Sequence, residues 1–130
     1  MGTSSLEILR VAYKSFPFHN LGIPEQTRIW RPVLPIHPIC NNVTSPRFEA
    51  TLDTGSDYCL FPAIIGASIG IRIHDGAEGD LSGAIGGPRA KVYYHNVKLA
   101  VAGGMVDKKA GFSWDLTENL LGYFGFFETF

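Results

Sequence analysis

Asp53 is the residue best placed to do chemistry. It closes an alternating run, Phe48-Glu49-Ala50-Thr51-Leu52, leads into Thr54-Gly55-Ser56, and is followed at once by the apolar Tyr58-Cys59-Leu60-Phe61. Alternation of this kind reads as a half-buried strand, so the sequence delivers a carboxylate into a tight turn at the rim of a core. An acid held there suits general acid–base work better than solubility. Gly55 lacks a Cβ and lets other backbone come close. The tripeptide by itself also fits an ordinary turn, because Asp bonds its own turn backbone and Gly accepts a positive φ.

Two further stretches add to this one. Leu120-Leu121-Gly122 stands well downstream and runs into Tyr123-Phe124-Gly125-Phe126-Phe127-Glu128-Thr129-Phe130. Between them lies a glycine-rich middle with Gly76, Gly79, Gly83, Gly86 and Gly87. Read without Asp53, these are a buried aromatic cluster and a long loop. In their order, Asp53-Thr54-Gly55-Ser56-Asp57 and Leu120-Leu121-Gly122 resemble the two signatures of the retropepsin-like, single-domain aspartic peptidases. The run Gly125-Phe126-Phe127-Glu128-Thr129-Phe130 is similar to that of bacterial-type members.

The resemblance implies a homodimer. An aspartic peptidase needs two carboxylates sharing one proton, so that one activates a water while the other donates to the scissile carbonyl. One motif in the chain supplies one acid, so Asp53 would meet its symmetry mate across a two-fold axis. The resemblance further implies that Thr54 bonds the opposite chain's backbone, and that Asp57 accepts from the substrate backbone and joins an ion pair. It also implies that Leu120, Leu121 and Gly122 pack beside the catalytic loop, with a short helix after them. A Ser56 hydroxyl donating to Asp53 would favour the ionised acid. Substrate would be an extended peptide held by main-chain hydrogen bonds, between Gly55, Asp57 and a flap over residues 74–92 that includes Gly83, Ala84, Ile85 and Gly86. No metal or organic cofactor is implied. The alternative reading is a non-catalytic peptide-binding or dimerisation domain of the same fold, or a fragment of a longer protein.

Two departures from the family matter. Tyr123 stands where retroviral members usually have Arg, so the cation for Asp57 is expected from the N-terminal segment or from Arg47. The sequence stops at Phe130, before the terminal strand with which viral members interleave the dimer, so the interface is expected either from elsewhere, such as residues 6–14, or, if the chain is a fragment, to be weak or absent.

The remaining residues must position these groups. A chain of 130 residues with many short strands and Gly/Pro turns predicts one all-β domain. We expect a small closed β-barrel with a glycine-rich flap hairpin and one short C-terminal helix, preceded by an N-terminal arm over residues 1–25. Residues 91–101 predict a strand with His95, Val97, Leu99 and Val101 on one side and Asn96 and Lys98 on the other. Pro32, Pro35 and Pro38 restrict residues 31–39 to an edge-like extended strand. Residues 63–70 read as a short helical or turn segment.

Other functions are poorly served. Eleven basic against twelve acidic residues, with no basic run, argues against nucleic acid. No stretch approaches the apolar length of a membrane span, and the first residues lack a signal-peptide pattern, so a cytoplasmic location is expected. His37 and Cys40 are too few ligands for zinc. Cys59 reads as a buried thiol, and no motif pairs a Ser or Cys nucleophile with His19, His74 or His95. Asn42-Val43-Thr44 matches a glycosylation acceptor only by its letters.

Overall fold

The computed structural model describes residues 11–17, 21–53, 55–81, 90–101, 103–124 and 126–128. In chain order they form β1 (Ala12–Pro17), β2 (Arg28–Cys40), β3 (Val43–Thr44), β4 (Phe48–Leu52), β5 (Leu60–Pro62) and helix α1 (Ala63–Ser68). A 3-10 turn at Ile73–Asp75 follows, then β6 (Ala77–Leu81), β7 (Ala90–Val101), β8 (Gly104–Ser113) and β9 (Leu120–Leu121).

Six strands close into a ring: β2 pairs β4, β4 pairs β9, β9 pairs β5, β5 pairs β8, β8 pairs β7, and β7 returns to β2. Closure leaves that ring without an unpaired edge, while β1 and β6 extend from it as outer strands. The two-residue β9 is the narrowest link, since Leu120 pairs with both Thr51 of β4 and Leu60 of β5. Inside the ring lie Ile36, Phe61, Leu99, Phe112 and Leu121, all essentially buried. Each such side chain contributes about 1.5–3 kcal/mol relative to exposure. In β7, Val97, Leu99 and Val101 are buried while Asn96 and Lys98 are exposed, as period two predicts. His95 is half-buried and its Nε2 lies 2.7 Å from the Ile73 carbonyl oxygen, which accepts from it.

Strand β2 corrects one expectation. It is no edge strand: β1, β3, β4 and β7 all pair with it. Its prolines fall where neighbours end. Pro32 precedes the first pair with β4, Val33↔Thr51. Pro35 lies between the end of the β1 pairing at Val33 and the start of the β7 pairing at Ile36. At Pro38 the carbonyl accepts the Ser45 N–H at 2.9 Å, in the break between β3 and β4. A missing N–H therefore costs no ladder bond. The β2–β3 hairpin turns on Asn41 and Asn42 at φ 49° and 66°, the left-handed pair that a two-residue hairpin requires.

The short helix of the described residues is α1, where Gly66 leaves room for Phe112: a Cβ there would lie 2.8 Å from the ring. At the C-terminal end, Phe127 and Glu128 donate to the carbonyls of Gly122 and Tyr123 at 3.3 and 3.0 Å, as turns. In the N-terminal arm, residues 12–17 form β1, and residues 1–10 lie outside the described ones. β6 and β7 form antiparallel arms, with Lys91 bridging Glu78 and Asp80 at 3.1 and 3.0 Å. These arms flank residues 82–89. Gly83, Ala84, Ile85 and Gly86 thus lie outside the described residues.

Candidate active site

Strand β4 ends at Leu52, and Asp53 leaves it to begin a turn closed by its own carboxylate. Oδ1 accepts the Gly55 N–H at 2.9 Å, and the Asp53 carbonyl accepts the Ser56 N–H at 3.2 Å. This is the side-chain-closed turn that Asp favours. The carboxylate is half-buried. Thr54 lies outside the described residues.

The downstream segment clasps this loop. Thr51 donates to Asn119 at 2.8 Å and Asp53 to Leu121 at 3.0 Å; Tyr123 donates to Ser56 at 2.9 Å and Phe124 to Asp57 at 2.7 Å, all through backbone. Each such bond is worth about 0.5–1.5 kcal/mol net, and together they tie residues 51–57 to 119–124. Gly122 lies against the loop so closely that a Cβ would come within 2.7 Å of the Ser56 carbonyl oxygen. Asp53, Gly55, Leu121 and Gly122 are thus brought together at one end of the barrel, 68 residues apart in sequence between Asp53 and Leu121.

Ser56 departs from its expected bonding. Its hydroxyl donates to the Tyr58 carbonyl at 2.7 Å rather than to Asp53, because the turn points it along the chain. The donor that reaches Asp53 is the Gly55 N–H. Asp57 is exposed and has no ion-pair partner among the described residues, Arg47 included.

Beside the loop stands an aromatic group that sequence reading did not single out. The Tyr58 ring packs on Tyr94 at 5.1 Å and on Phe124 at 5.4 Å between centroids. Burial pushes the Tyr94 hydroxyl up from its ordinary range, with the charges of Tyr58 and Asp57 adding to this, so it stays a neutral donor at physiological pH. Nothing in the local sequence pairs positions 58 and 94; barrel closure does.

Cys59 makes no nucleophile. Burial pushes its thiol up, so the reactive thiolate is disfavoured. A thiol reagent at neutral pH is therefore expected to modify the half-buried Cys40 well before Cys59. Mass spectrometry of the labelled peptides checks this. Equal rates at both sites would contradict the burial. Among the described residues no group of three or more His, Cys, Asp or Glu could hold a metal, and no helix is long and apolar enough to cross a membrane.

A cavity of about 590 Å³ is an open groove on the outer face of β1, β2 and β4. It begins at Thr51, two residues before Asp53, rather than directly over the acid.

No protein-family model matches the sequence, and no curated protein is similar to it. Among solved structures, the EIAV protease complexed with the inhibitor HBY-793 is similar, with a TM-score of 0.50 and 19% identity over 71% of this chain and 81% of that one. At that identity the likeness is one of fold. The fold is retropepsin-like: mostly β, with a ring of strands and a short helix.

Proposed function

We propose that this chain is one half of an aspartic endopeptidase of the bacterial retropepsin-like kind. The observation that carries the reading is the Asp53 loop clasped by Leu121 and Gly122, with Oδ1 already held by the Gly55 N–H. A carboxylate oriented by a backbone donor and tied to the barrel loses little freedom when it acts. Two such loops meeting on a two-fold axis bring two Asp53 side chains to one water.

The chemistry follows from two acids sharing one proton. The ionised carboxylate takes a proton from the water as its oxygen attacks the scissile carbonyl carbon. The protonated carboxyl gives its proton to the carbonyl oxygen, and a tetrahedral diol forms. Collapse breaks the C–N bond, with a proton passing to the leaving amine. Thr54 would lock the two loops across the axis, and Asp57, exposed and without an ion-pair partner among the described residues, would receive the substrate's main chain. The hairpin over residues 74–92 would close as a flap and exclude water.

Because each chain supplies half of the site, activity depends on association. Specific activity toward an unstructured polypeptide is expected to fall on dilution, in step with the dimer fraction measured by analytical ultracentrifugation. A specific activity that stays constant while the particle dissociates would refute the shared site. Peptide binding without cleavage by an assembled dimer would instead support a non-catalytic domain.

A further inference from the structure

The groove beside Asp53 has chemistry of its own. Phe16 of β1 and Ile29 of β2 supply an apolar floor, with Arg31 of β2 and Glu118 of the segment before β9 among its other lining residues. The β2–β4 ladder ends at Val33↔Thr51. Two residues further along each strand stand Arg31 and Asp53. Thr51 and Asp53 both donate their backbone N–H to the 119–121 segment, and Thr51 lines the groove. At about 3.3 Å per residue, the groove starts roughly 7 Å from the acid.

Its charges are unspent. Lys14 and Glu49, also in the groove, pair with each other. Arg31 and Glu118 have no ionic partner among the described residues. Asn119 ties the groove's wall together, its Nδ2 donating to the Glu49 carbonyl at 3.0 Å. An apolar floor with a cation and an anion that have no ionic partner among the described residues fits an extended peptide carrying an apolar side chain and charges of both signs. A purely apolar or singly charged ligand would leave part of it unmatched.

We propose that this groove is an outer extension of the substrate cleft, walled by β1, and that it selects peptides with an apolar residue seated on Phe16 and a basic residue facing Glu118. The proposal rests on the peptidase reading. It assigns β1 a function in specificity, through side chains that lie away from the scissile bond.

The test uses the full chain, a library of long peptides, and a truncated series ending before the groove. Glu118→Lys is expected to lower kcat/KM about three- to tenfold for long substrates with a basic residue at the selected position, and to raise it for acidic ones. Phe16→Ala should lower it for long substrates only. Both side chains are on the surface, and a melting curve checks each fold; Glu118→Gln carries the test if the reversal disturbs it. Unchanged selectivity in a variant that still cleaves would overturn the groove's role alone. A changed dimer fraction with unchanged selectivity would also overturn it, and mark the groove as an interface between copies. No cleavage of any peptide by the unaltered chain would remove the peptidase reading and this proposal with it.

Discussion

Asp53→Asn is expected to lower peptide cleavage by about 10²–10⁴-fold, the range for loss of a general acid–base group, while leaving the fold in place. The reason is local. Asn keeps the shape of Asp and keeps an Oδ1 to accept the Gly55 N–H at 2.9 Å. The bond from the Asp53 N–H to Leu121 is backbone and does not change. Only the charge on the acceptor is lost, which costs about 1 kcal/mol of stability. The amide cannot take a proton from water. Mixing sharpens the result, because random pairing of equal amounts of parent and variant leaves about a quarter of two-fold particles with both acids. Activity near one quarter of the parent value is the expected outcome. Activity near one half would mean that each chain works alone, and full activity in pure Asp53→Asn would remove the acid from the mechanism.

What could be read from the sequence was whatever local pattern decides. Alternation through β7 and the strand-to-turn switch at Asp53 depend on neighbours in the chain, and both stand where the residues place them. Leu120-Leu121-Gly122 was legible through its resemblance, not its periodicity, since its partner loop lies more than sixty residues away. Strand β2 was misread because proline limits a ladder only on the edge its nitrogen faces, and which edge is paired at Pro32, Pro35 and Pro38 depends on where β1, β4 and β7 begin and end. Ser56 was misread for a related reason: a hydroxyl bonds the nearest well-placed carbonyl, here Tyr58. The Tyr58–Tyr94 contact and the groove between β1 and residues 117–119 exist only once the barrel has closed.

Closure is also what makes Gly122→Ala severe. A Cβ at this position would lie 2.7 Å from the Ser56 carbonyl oxygen and from the Tyr58 carbonyl carbon, and closer still to the Tyr58 oxygen. All are backbone atoms, so no flexible side chain can swing aside. They are also held: the Ser56 carbonyl by the Tyr123 N–H at 2.9 Å, the Tyr58 carbonyl by the Ser56 hydroxyl at 2.7 Å. The methyl must therefore lift the 55–58 loop from the 119–124 segment. A loss of about 1–3 kcal/mol or more is expected, as for overpacking of a closed core, read by denaturant unfolding. Cleavage should fall with it, because the same bonds orient Asp53. Gly103→Ala separates the two effects. Gly103 has φ +76° and open space around it, so alanine there incurs only backbone strain of about 1–2 kcal/mol and should leave cleavage intact. A Gly122→Ala protein with parental stability and activity would mean that the two segments do not meet, and Asp53 would lose the support that sets it apart from an ordinary turn.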